Sequence, residues 1–229
     1  MMQDNILSIV MFGSTARAEE DAYSDVDVCV ITRETTNESE IETIKSIIND
    51  DYCLQDVEIV VYSADQFEAM NAYGSLFLWH LKLEGKVLFD RNYFGQVMKR
   101  LSVYENHLCE LDFHADLLKD VEFSMERLHI VNELDLSQLF TICRNTCMIL
   151  SHFNQEFAFG RKSAFQSAKR IYNDLPLTEE EYSYLSKWKL RYERSLFDDL
   201  ELPSIGDVEF LLKKSKELIY FAVGKVSHV

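Results

Sequence analysis

The sequence predicts an α+β chain in two parts. A small sheet with flanking helices spans residues 1–90, and an all-α helical bundle spans residues 91–229. Three observations carry this. Strand and helix signals alternate up to about residue 90, after which strand signals vanish. Gly 7 and Pro 2 make 9 of 229 residues, well below the usual share of about 12%, so long helices are expected and an all-β sandwich is not. Hydrophobic residues make up 47% of the chain, enough for a real core at this length, which excludes a disordered protein.

The elements follow in order. Ile6 to Phe12 (ILSIVMF) is an apolar run that stops at Gly13 and reads as a strand. Val26 to Ile31 (VDVCVI) sets Asp27 among β-branched neighbours and reads as a second strand. Glu38 to Ile48 carries Ile41, Ile44, Ile47 and Ile48 at helical spacing, with Asn37 or Ser39 as cap. Val57 to Tyr62 (VEIVVY) is a third strand, and Ser63 caps a helix that starts over Ala64 to Asn71. Lys86 to Phe89 is a short last strand after Gly85. Beyond Asn92 come helical patterns over Leu108–Val131, Leu136–Phe153 and Ser163–Asn173, the last stopped by Leu175-Pro176. Thr178 with Glu181 at the capping-box offset opens a fourth, and Asp207–Val226 forms a fifth with a regular apolar face.

Charge narrows the partners. Lys plus Arg number 23 against 39 Asp plus Glu, a formal net charge of -16. A protein that holds a long nucleic acid needs a basic stripe, and none stands here, so genomic DNA or tRNA is not expected. A cationic small molecule or a cationic patch on a partner suits the field better, although plain solubility explains it as well. No apolar run reaches the ~18 residues of a membrane span. Asp4 stands where a signal peptide would carry Lys or Arg, and five cysteines without framework spacing read as reduced thiols, so a cytoplasmic protein is expected.

One constellation carries chemistry: Gly13-Ser14, then Ser24-Asp25-Val26-Asp27, then Glu58. Asp25 and Asp27 are two apart at a strand start, so both carboxylates project from one face. Two neighbouring carboxylates repel, and a divalent hard cation between them relieves the repulsion. Mg²⁺ held by few carboxylates plus substrate phosphates is the usual arrangement. Glu58 is a charge inside an apolar strand, and a shared metal site gives it a reason. Ahead of them, Gly13 permits a tight turn, backbone N–H groups and the Ser14 hydroxyl can hold a phosphate, and Arg17 can pair with phosphate oxygens. Together these pieces read as a nucleotidyl-transfer site, where two metals clamp the attacking and leaving oxygens.

The string FGSTARAEEDAYSDVDVCVI (Phe12–Ile31) resembles the signature of the DNA polymerase beta-type nucleotidyltransferase superfamily: Gly-Ser, a loop of about ten residues, then Asp-x-Asp between apolar residues. Ala-Arg after Gly-Ser-x and the Ser-Asp-x-Asp ending resemble the minimal and the aminoglycoside (kanamycin-type) nucleotidyltransferases. The resemblance implies a small mixed sheet. It implies Asp25, Asp27 and Glu58 as catalytic metal carboxylates on two Mg²⁺ ions, and Gly13, Ser14, Arg17 and Ser24 around an NTP, with ATP the expected one. VEIVVYSADQFEAM resembles the third-carboxylate strand of the aminoglycoside enzymes, with Glu58 as the residue in question and Asp56 as the reserve. Gly74–Asp90 still looks like the end of the minimal domain, and the later helices resemble the kanamycin-type and HEPN helical domains in architecture only. The chain departs from the family in having only Met1–Asn5 before its first strand and in Ala18 where the minimal enzymes carry Gly.

The expected partners are therefore an NTP and a cationic aminoglycoside-like acceptor, without long nucleic acid or membrane, in an arrangement compatible with a homodimer. A protein acceptor, as in minimal enzymes that adenylylate a HEPN toxin, is the alternative, and a non-catalytic nucleotide-binding module is a third reading. Lesser signals have plainer explanations. Cys143 and Cys147 with His152 read as buried thiols and a helix-end histidine rather than zinc ligands. Arg144 and His152 are one residue too far apart for the HEPN ribonuclease motif. Glu122, Glu126 and Lys119 read as a solvated helix face and Lys162 as an exposed helix start. Tyr73, Phe77 and Trp79 read as core packing before base stacking.

Overall fold

A computed structural model describes residues 2–17, 26–54, 57–197 and 199–227. The chain divides into two compact units, Met1–Glu105 and Asn106–Val229.

The first unit is built on four strands: β1 (Ile6–Phe12), β2 (Val26–Thr32), β3 (Val57–Ser63) and β4 (Lys86–Asp90), in the spatial order β3-β2-β1-β4. β1 pairs antiparallel with both β2 and β4, whereas β2 and β3 run parallel, so the sheet is mixed. The parallel pair needs a crossover, and α3 (Glu38–Tyr52) supplies it. Alternation sends Val28 and Val30 to one face, where they meet Ile44 and Ile48 of α3. Cys29 and Ile31 go to the other, where Phe67 of α4 (Ala64–Ala72) and Leu78 and Leu81 of α5 (Leu76–Glu84) cover them. Both faces are thus buried, which explains why β2 is apolar on both sides beyond Asp27.

The local signals fold as their chemistry dictates. Asn37 caps α3 through its side chain, with Glu40 returning the bond, and Ser63 and Gln66 do the same for α4. Met2–Asn5 form a single helical turn, α1, before β1. α2 (Gly13–Arg17) is helical where the sequence suggests only a turn. The first unit also runs past Asp90. α6 (Phe94–Lys99) and Leu101 bury Phe94, Val97 and Met98 in the same cluster as Phe67 and Leu81, so this segment packs with the sheet. Asp90 secures the junction by accepting from Ser8 Oγ at 2.7 Å and from the backbone N–H groups of Tyr93, Phe94 and Gly95.

The second unit is all helical in its described elements: α7 (His107–Leu128), α8 (Glu133–Phe153), α9 (Ser163–Ile171), α10 (Glu179–Arg194) and α11 (Ile205–Val226). α8 is the central one, with Leu136, Leu139, Phe140, Ile142, Cys143, Ile149 and Leu150 all buried. α7, α9, α10 and α11 each pack on it. Thr178 and Glu181 form the expected capping box on α10, and Ser204 caps α11 with Asp207.

Candidate active site

The end of the sheet where β1 leaves and β2 enters brings the described part of the motif together. In register, Phe12 of β1 lies opposite Asp27 of β2, and Asp27 lies beside Glu58 of β3. Neighbours in a ladder project to the same side, so the Asp27 and Glu58 carboxylates stand next to each other on strands about 4.8 Å apart. By alternation this is the side of Cys29 and Ile31, the face covered by α4, α5 and α6. Asp27 is half-buried and Glu58 exposed. Ser24, Asp25 and the reserve Asp56 lie outside the described residues.

Gly13 is fitted to this spot. Its φ of +78° lies in the left-handed region, which favours glycine. A Cβ built there would meet Asp27 Oδ2 at 2.0 Å. The Asp27 carboxylate therefore occupies the space that a side chain at 13 would take, and the Gly-Ser turn touches the metal-type carboxylate directly. Ser14 follows at the next position of α2, and Arg17 comes one turn on, above Gly13 and Ser14. Arg17 Nη1 donates to Glu84 Oε2 at 2.7 Å, and His80 Nε2 stands 3.0 Å from the same oxygen. Burial pushes the Glu84 carboxyl up, but hydrogen bonds from His80 and Arg17 outweigh it and hold the group below the ordinary carboxylate range. This network was not foreseen from the sequence.

Mg²⁺ can be tested against these residues. Among the described residues, no group of three or more His, Cys, Asp or Glu side chains is gathered closely enough to hold a metal ion. Two adjacent carboxylates do stand beside a glycine turn that keeps the space clear. Such a hard-oxygen set suits a cation that takes few protein ligands and completes its shell from phosphates and water. Asp27 and Glu58 would hold it.

The lesser candidates resolve into structure. Phe77 packs edge-on to Phe12 at 5.3 Å and near Tyr62 at 5.8 Å. Trp79 donates Nε1 to Ser102 O at 3.2 Å, while Tyr73 is 45% exposed. Cys143 and Cys147 are fully buried, and Cys143 Sγ lies 3.2 Å from Ser215 Oγ. Burial pushes both thiols up, Cys143 to about 12, so neither is a ready thiolate. Arg144 donates to Phe159 O at 2.8 Å, and His152 packs against His107 with ring centres 5.6 Å apart. Glu122 pairs with Lys216 and Lys119 with Asp116. Lys162 precedes α9 without capping it through its side chain.

Residues 1–94 match the family described as Polymerase beta, Nucleotidyltransferase. This stretch of the first unit is thus similar to a polymerase beta-type nucleotidyltransferase domain, and its mixed sheet with flanking helices, followed by a helical region, is consistent with one. The fold is similar to the crystal structure of spectinomycin adenyltransferase AAD(9) from Enterococcus faecialis with ATP and spectinomycin. The TM-score is 0.58 and the identity 13%, over 96% of this chain and 93% of that chain. At that identity the likeness is one of fold. A toxin–antitoxin structure with AMP-PNP aligns over 56% of this chain and 93% of its own, at 14% identity and a TM-score of 0.32, which is too slight to carry an argument. No curated protein matches the chain in sequence. Among the described residues no helix is long and apolar enough to cross a membrane.

Proposed function

We propose that the protein transfers a nucleoside monophosphate, AMP in the first instance, from an NTP to a hydroxyl of a cationic, aminoglycoside-like small molecule, releasing pyrophosphate. The observation that carries this is the row Gly13–Asp27–Glu58, in which a glycine turn abuts one carboxylate and that carboxylate stands beside a second. The acceptor oxygen attacks the α-phosphorus as the bond to the β-phosphate breaks, and the acceptor proton leaves to a base. Mg²⁺, when bound, neutralises the triphosphate and lowers the cost of charge on the attacking and leaving oxygens.

The chain's own residues have separate tasks. Asp27 would hold the cation, and Asp25, two residues earlier in sequence, would join it. Glu58 would accept the acceptor's proton or serve as a further carboxylate for the cation; its place beside Asp27 serves either role. Gly13 and Ser14 present backbone N–H groups and a hydroxyl to the phosphates, and Ser24, ten residues on in sequence, is assigned to the same nucleotide. Arg17 pairs with phosphate oxygens as the negative charge builds on the leaving pyrophosphate. The surplus of carboxylates along the chain favours a cationic acceptor, and the similarity of fold to an adenyltransferase crystallised with ATP and spectinomycin supports that class.

The test is pyrophosphate release by purified protein with Mg²⁺ and each NTP, across a panel of aminoglycosides and aminocyclitols. Release that depends on one such acceptor, with the nucleotide recovered on it, is the expected result. Release that ignores every cationic acceptor would set aside the acceptor class. Neither release nor nucleotide binding would set aside the transferase reading in favour of a non-catalytic module.

A further inference from the structure

Arg17, His80 and Glu84 form a cluster between the short helix α2 and the end of α5. Arg17 sits one helical turn after Gly13, on the short helix that carries the phosphate-type turn. Glu84 is the last residue of α5, 67 positions later in the chain. Its carboxylate is only 18% exposed and gathers the Arg17 guanidinium and the His80 imidazole on the single oxygen Oε2. A carboxylate that is mostly withdrawn from water makes a stronger and more directional contact than a surface pair would, because less solvent screens it.

Both ends of the contact are held by packing. His80 is buried one turn before Glu84 on α5, and its ring meets Phe12 edge-on at 5.5 Å, beside the strand end that leads into Gly13. Gly85, which follows, lies so close to the sheet that a Cβ there would meet Leu81 O at 2.3 Å and Val10 Cγ1 at 2.8 Å. The end of α5 is thus clamped on β1, and the clamp fixes where the Glu84 carboxylate can be. An arginine side chain loses rotamer entropy when it is held, and a ligand that captures a mobile one must meet that cost. Arg17 has already given up part of that freedom to Glu84.

We propose that Glu84 is a positioning residue for nucleotide binding: it aims the Arg17 guanidinium at the triphosphate held by the Gly13–Ser14 turn. The inference rests on the nucleotidyltransferase reading and deepens it. A guanidinium carries five N–H donors in a planar fork, so contact with a carboxylate is compatible with contact to a phosphate oxygen. His80 shares the carboxylate and keeps Glu84 from swinging with the arginine. Aiming acts on affinity for the nucleotide before it acts on the chemical step.

The experiment measures binding of a non-hydrolysable ATP analogue with Mg²⁺ to the full chain, for wild type, Arg17→Ala, Glu84→Gln and the double variant, each with its melting temperature. Arg17→Ala is expected to weaken binding by about tenfold or more, as for loss of one charge-assisted hydrogen bond. Glu84→Gln is expected to weaken it severalfold, and the double variant no more than Arg17→Ala alone, because Glu84 acts through Arg17. In turnover with a reactive acceptor, Glu84→Gln raises KM for the nucleotide and leaves kcat within about twofold. Should Glu84→Gln fail to fold, Glu84→Asp takes its place, and withdrawal of the carboxylate by one methylene must still weaken binding severalfold. Unchanged analogue affinity in the folded Glu84 variant, or a double variant whose losses add, overturns the proposal. Wild-type protein that binds no analogue overturns the nucleotidyltransferase reading itself, and this inference falls with it.

Discussion

Asp27 is the central residue of the proposed site. It is the half-buried carboxylate that Gly13 makes room for and the neighbour of Glu58 across the parallel ladder. Asp27→Asn keeps the volume and removes the charge, so turnover should fall by about a thousandfold or more, as when a principal charge-stabilising group of a transition state is lost. The melting temperature should hold or rise, because one of two adjacent like charges is gone. Rates and melting curves of the same preparation check this. Gly13→Ala should do the opposite to the fold. It forces an L side chain into φ +78° at a cost of about 1–2 kcal/mol and drives a methyl into Asp27, so both stability and activity fall. An unchanged melting temperature for Gly13→Ala would mean that Asp27 does not rest over the turn.

At the scale of elements, the helical unit carries an acid-sensitive core. His114 of α7 is buried with Nδ1 3.2 Å from Thr146 Oγ1 of α8, and burial pulls it down to about 4. His152 at the end of α8 is also down to about 4, by burial first and by the neighbouring His107 second. Both histidines are depressed in the folded state, so the unfolded chain binds more protons between pH ~6.5 and about 4. Stability is then full above the unfolded value and is lost as pH falls through that window, by at most about 1.4 kcal/mol per unit for each group. Melting the protein from pH 7 to 4.5 should show this decline, and His114→Gln should make it shallower. A decline of the same slope in His114→Gln would remove His114 as its source. The caps offer a smaller test: Thr178→Ala breaks the capping box on α10 and should cost about 1 kcal/mol, read as a drop of a few degrees.

The elements also show what a sequence can and cannot carry. β1, the capping boxes at Asn37, Ser63 and Thr178, and the apolar face of α11 are local patterns, and each stands where its residues put it. α2 escapes notice because five residues of Gly-Ser-Thr-Ala-Arg have no room to show a period. α6 escapes for a similar reason, and its place in the first unit depends on Phe94 and Val97 meeting Phe67, a contact that no local signal announces. The neighbourhood of Asp27 and Glu58 follows from the two strand patterns only once the register of the parallel pair is set by folding. Glu84 as partner of Arg17 was beyond the sequence, since a glutamate at a helix end usually reads as solvated surface.

For the whole molecule, the proposed function places the nucleotide chemistry on the sheet unit, and the helical unit has its own core. Each unit has a hydrophobic interior of its own, from Val10, Cys29 and Phe67 in the first to Leu136, Leu139 and Trp188 in the second. Trp188→Ala should therefore cost about 3–5 kcal/mol through the cavity it opens in the helical unit. Denaturant unfolding of wild type and variant reads that loss. The central claim is that the sheet end holds a Mg·NTP on Asp27 and Glu58, and titration calorimetry of ATP into the full chain tests it most directly. The account predicts binding in Mg²⁺ that collapses in EDTA and in Asp27→Asn. ATP affinity that is indifferent to both the cation and Asp27 would contradict it.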